Sequence, residues 1–80
     1  MTVDFYEWER IAIRRYEDTT GMHLVIHNYQ EEGEWKYIVE VIGGAGVYDE
    51  VLGTFDTEDE VRLFVNALIK QARLDKMMRG

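Results

Sequence analysis

Histidines, clustered carboxylates and a glycine-rich run are the features of this chain whose types and spacing could do chemistry. His23 and His27 are its two histidines. In a strand they share one face but stand ~14 Å apart, too far to hold one metal ion. In a helix the same spacing would suit zinc, yet the intervening Leu24-Val25-Ile26 favours a strand. Asp56-Thr57-Glu58-Asp59-Glu60 offers carboxylates for calcium. An EF-hand loop beginning at Asp56 would need Gly at its sixth position and Glu at its twelfth, where this chain has Val61 and Ala67. Gly43-Gly44-Ala45-Gly46 suggests a phosphate cradle, but such a loop is followed by a helix and completed by Lys or Ser/Thr. Here β-forming residues follow, and Asp49 and Glu50 would repel phosphate. The chain lacks Ser and Cys, the two commonest nucleophiles. A catalytic acid needs an apolar pocket to raise its pKa, and most carboxylates here fall in loops or at helix ends. The expectation is a protein without catalytic residues, metal or cofactor.

The charge layout is more informative. Residues 31–60 hold ten carboxylates against the single base Lys36, a net of −9, whereas residues 61–80 carry five bases against Asp75. The whole chain is −7. A field so concentrated repels nucleic acid and attracts basic surfaces.

Eighty residues, 46% of them hydrophobic, make one compact domain spanning 1–80. No apolar run is long enough to cross a bilayer, and the start Met1-Thr2-Val3-Asp4 lacks a signal-peptide pattern. Together with the absence of Cys, this points to the cytoplasm.

These residues must be positioned by an α+β fold, a three- to four-stranded antiparallel sheet packed against one long C-terminal helix. Thr57-Glu58-Asp59-Glu60 reads as a capping box. Val61, Phe64, Val65, Leu68, Ile69 and Ala72 then form one apolar stripe, which predicts a helix over about 58–76. Residues 22–29 and 35–42 read as strands joined by a polar loop over 30–34, with a third strand over 47–55. The first twenty residues admit two readings. Phe5, Trp8, Ala12 and Tyr16 fit a helix capped by Thr2. Ile11 and Ile13 between charged residues fit a strand over 9–17, with Asp18-Thr19-Thr20-Gly21 as a turn, and this second reading is preferred.

Two surfaces follow. The acidic ends of the hairpins present Glu31, Glu32, Glu34, Asp49 and Glu50 to a basic partner. On the last helix, Leu63, Ala67, Leu74 and Met78 fall in one sector opposite the core stripe, at ~100° per residue. A helix apolar on two sides usually touches a second partner, which makes a homodimer or a target contact an expectation.

The junction Gly53-Thr54-Phe55-Asp56-Thr57-Glu58-Asp59-Glu60 resembles one in the three-stranded DNA-binding domains of phage integrases. Those domains present a basic sheet to phosphate, and the −9 here reverses that sign. In size, charge and lack of catalytic residues, the chain is similar to the small acidic inhibitors of phages and mobile elements, including anti-CRISPR proteins and DNA mimics. That resemblance implies a non-enzymatic inhibitor of a basic nucleic-acid-handling complex, such as a CRISPR effector, with no direct contact to nucleic acid or membrane. The alternative is a small homodimeric structural or regulatory subunit acting through its last helix.

Overall fold

The computed structural model describes residues 4–43 and 49–78. Five elements follow in order: α1 (Phe5–Thr20), β1 (His23–Glu31), β2 (Glu34–Ile42), β3 (Asp49–Phe55) and α2 (Glu58–Met78). The fold is α+β, with two helices on one face of a three-stranded antiparallel sheet ordered β1-β2-β3. Its Cα atoms span 46 × 36 × 17 Å, the thin dimension of a two-layer molecule.

Residues 9–17 belong to α1, not to a strand. Phe5, Ala12 and Tyr16 are buried along one helical stripe, whereas Ile11, half of the supposed alternation, is 41% exposed. Two isoleucines two apart are too short a pattern to outweigh that stripe. Asp4, in an extended conformation, caps the helix by accepting the Tyr6 N–H at 2.8 Å. Thr2, the cap expected for a helix here, lies outside the described residues. The sequence Asp18-Thr19-Thr20-Gly21 is the helix end rather than a hairpin turn. Gly21 adopts φ 76° and donates its N–H to the Glu17 carbonyl at 2.8 Å, a left-handed cap that suits glycine.

The polar loop of the first hairpin is tighter than expected. Glu31 pairs with Glu34, leaving only Glu32 (φ 52°) and Gly33 (φ 83°) between the strands. Positive φ at both central residues is the requirement of a type I′ turn. The ladder runs from there to His23 opposite Ile42. On the other side of β2, Tyr37 pairs with Phe55 and Val41 with Glu50, with a register irregularity at Val39/Glu40. The expected third strand is described from Asp49 onward; its first residues, Val47 and Tyr48, and Gly44–Gly46 of the glycine run lie outside the described residues.

Alternation along the strands separates the two sheet faces. Leu24, Tyr37, Val39 and Val41 are buried beneath the helices, with Ile26 partly buried beside them. From α2, Val61, Val65 and Ile69 reach the same core, while Phe64, Leu68 and Ala72 flank it. This is the stripe expected from the sequence. Val39, Val61 and Val65 are fully buried, each contributing about 2 kcal/mol of transfer free energy. The ring of Phe5 packs on Tyr37 at 5.7 Å and that of Phe55 on Phe64 at 5.0 Å, tying each helix to a strand.

The helices run parallel. The Arg62 guanidinium lies 5.6 Å from the Phe5 ring and 5.7 Å from that of Trp8, near both helix starts. Tyr16 and Thr19 line a cleft with Ala72 and Lys76 near both helix ends. Both positive helix termini therefore point toward the β1–β2 turn.

Candidate protein-binding interface

At the tip of the β1–β2 hairpin, Glu31 and Glu34 oppose each other and Glu32 occupies the turn. The Tyr37–Phe55 register brings the β3–α2 junction to the same end of the sheet. Lys36 Nζ lies 2.6 Å from Asp56 and 3.6 Å from Glu34, bridging the tip and the junction. The hydrogen bond to Asp56 is the main influence that raises the Lys36 pKa. Tyr37 Oη stands 3.5 Å from Glu58. Burial raises the Tyr37 phenol above its usual range, and the charge and hydrogen bond of Glu58 add to that.

The α2 cap is reciprocal. The Thr57 hydroxyl accepts the Glu60 N–H at 3.1 Å and donates to the Glu60 carboxylate, also at 3.1 Å. Glu58, Asp59 and Glu60 occupy the first turn of α2, where the helix dipole favours negative charge. Glu31, Glu32, Glu34, Asp56, Glu58, Asp59 and Glu60 are all exposed at this one end. Their mutual repulsion is offset by Lys36 and the helix N-termini.

Asp49 and Glu50 do not join them. They pair with Ile42 and Val41 at the opposite end of β2, about 27 Å from the tip by strand rise. Glu50 instead lies near Tyr16. Burial raises the phenol of Tyr16, a hydrogen bond with Thr20 lowers it, and the charge of Glu50 raises it further.

The four residues expected on the second surface are all exposed. Leu63 is 73% exposed, Leu74 45% and Met78 84%, with Ala67 exposed between them. Met77, 77% exposed, extends this apolar stripe from about 40° outside the sector of the other four. Lys70, Arg73 and Lys76 are exposed around it. Three aromatic side chains are also exposed: Tyr6 at the start of α1, Tyr29 on β1 and Trp35 near the hairpin tip.

The histidines face carboxylates separately. His23 Nδ1 is 3.0 Å from Glu17, and His27 Nε2 is 3.1 Å from Glu40. Among the described residues no three His, Cys, Asp or Glu side chains converge as a metal site. The cleft between the helix ends holds about 390 Å³ over an apolar floor of Met22, Leu68 and Ala72. Among the described residues no helix is long and apolar enough to cross a membrane. No family model, curated protein or solved structure matches the chain.

Proposed function

We propose that this protein is a non-enzymatic acidic inhibitor that binds a basic, nucleic-acid-handling protein in the cytoplasm and occupies its nucleic-acid site. The observation that supports this reading is the gathering of carboxylates from the β1–β2 tip and the β3–α2 junction at one end of a two-layer fold. Exposed acids at that end would meet Lys and Arg side chains that otherwise neutralise phosphate. The contact set is then Glu31, Glu32 and Glu34 with Asp56, Glu58 and Asp59, and Asp49 and Glu50 fall outside it. CRISPR effectors are one class of complex with such a groove, in line with the resemblance to anti-CRISPR proteins.

Competition tests the reading. A captured partner should lose its nucleic acid when this protein binds. Combined reversal of Glu31, Glu32 and Glu34 to Lys should weaken binding by about 2 kcal/mol or more, as for rim and partly buried charge pairs. Reversal of Asp49 and Glu50 should change it little. A partner that holds nucleic acid and this protein together would reject the reading.

The exposed Leu63–Met78 stripe favours a second reading, a structural or regulatory subunit acting through α2. Leu74→Glu separates the two. It should leave binding at the acidic end intact and abolish any association through the helix.

A further inference from the structure

The two edges of the sheet are unlike. β3 begins with Asp49 and Glu50, contains Gly53 and pairs with β2 through a register irregularity, all of which discourage further pairing. β1 has fewer of these guards, a single acid, Glu31, at its end. It is nine residues long, His23-Leu24-Val25-Ile26-His27-Asn28-Tyr29-Gln30-Glu31, without Pro, Gly or Lys, and its ladder with β2 is unbroken.

The turn determines which of its backbone groups face outward. Residues flanking a two-residue hairpin loop exchange both their hydrogen bonds, so Glu31 and Glu34 form such a pair. Every second residue back from Glu31, through Tyr29, His27, Val25 and His23, then bonds to β2. Leu24, Ile26, Asn28 and Gln30 turn their N–H and C=O groups away from the sheet. No described loop makes a backbone hydrogen bond to these four residues.

We propose that a second copy of this chain occupies this edge, with the two β1 strands antiparallel across a two-fold axis at His27. In that register Leu24 faces Gln30 of the second copy and Ile26 faces Asn28, so every outward group is paired. On the open sheet face His23 stands opposite Glu31, Val25 opposite Tyr29, and His27 opposite its own symmetry mate. The histidine–carboxylate pair recurs at both ends of the contact, a self-complementary polar pattern. A shift of the axis to Ile26 or to Asn28 takes His23 away from Glu31 and leaves outward groups unpaired.

The result is a continuous six-stranded sheet, β3-β2-β1-β1-β2-β3. It also places Asp49 and Glu50 of one copy at the same sheet end as Glu31, Glu32 and Glu34 of the other. They remain about three strand spacings, roughly 14 Å, from those tip acids and so outside the contact set of the acidic end.

Sedimentation equilibrium at physiological ionic strength tests this. The wild type should reach twice the mass of the chain as its concentration rises. Asn28→Pro removes an outward N–H and leaves the β1–β2 ladder intact, a place where edge strands tolerate proline. It should remain folded by circular dichroism and weaken association roughly thirtyfold, because the symmetry axis doubles the lost hydrogen bond. Leu74→Glu should leave the association unchanged. Amide exchange gives a readout without mutation: the Ile26 and Asn28 amides should exchange slowly in concentrated protein and fast in dilute protein. A wild type that stays monomeric to roughly millimolar concentration overturns the proposal. So does a folded Asn28→Pro variant that dimerises normally, or exchange at those two amides that ignores concentration.

Discussion

Glu32 is the one described non-glycine residue with positive φ, at 52°. A left-handed conformation costs an ordinary side chain roughly 1 kcal/mol, less for Asn, which is the preferred first residue of a type I′ turn. Glu32→Asn should therefore stabilise the domain by about 0.5–1 kcal/mol, seen as a higher denaturant midpoint at unchanged slope. A lower midpoint would mean that the turn is not of this type. Glu9 makes a complementary case on α1. Burial raises its carboxyl pKa, so the folded state holds this proton more tightly than the unfolded state does. The sign follows from linkage: its contribution to stability is greatest at acid pH and declines as pH rises from the ordinary carboxylate range through the raised folded value. Glu9→Gln should be more stable than wild type at neutral pH, and this advantage should vanish below the ordinary carboxylate range. Denaturation series at acid and neutral pH would show it; an advantage that persists at acid pH would point to a cause other than ionisation.

Among the elements, α2 rests most on its local start. The Thr57 hydroxyl satisfies the Glu60 N–H and engages the Glu60 carboxylate. Thr57→Ala should cost about 1 kcal/mol in equilibrium unfolding, and an unchanged midpoint would show that packing of Val61 and Val65 alone holds the helix start. α2 was legible in the sequence because cap, stripe and charge polarity agreed over one contiguous segment. It runs on to Met78 rather than stopping near residue 76, since no stop signal intervenes. The first hairpin was legible as two strands, but a polar stretch of five residues concealed that Gln30, Glu31 and Glu34 are paired. α1 is far less legible. Its helix signal is spread over Asp4, Phe5, Ala12 and Tyr16, one contact per turn, and its burial depends on strands that follow it in the chain. The candidate interface was half legible for the same reason. Charge density along the chain identified the acids, but their grouping depends on the pairing of Tyr37 with Phe55, which no local pattern encodes.

At the scale of the whole molecule the charges are unevenly placed. Carboxylates crowd the end where both helices begin, and Lys70, Arg73 and Lys76 line the second half of α2. This asymmetry makes salt act oppositely on folding and on binding. Raising ionic strength from about 0.01 M to 0.15 M shortens the Debye length from roughly 30 Å to 8 Å. Repulsion among Glu31, Glu32, Glu34, Asp56 and Glu58 then fades, and the melting temperature should rise by a few degrees, about 1 kcal/mol for a domain this size. The triple reversal of Glu31, Glu32 and Glu34 to Lys should remove most of that rise, because it places opposite charges at the crowded end. Association with a basic partner should weaken over the same range, mainly through a slower on-rate, since steering by exposed charge is what salt screens. Thermal melts and binding kinetics across one salt series check both halves. A melting temperature that falls with salt would mean that Lys36–Asp56 and the helix termini outweigh the repulsion. The acidic end would then be a stabilised structural feature, and the apolar stripe of α2 would become the stronger candidate for the working surface.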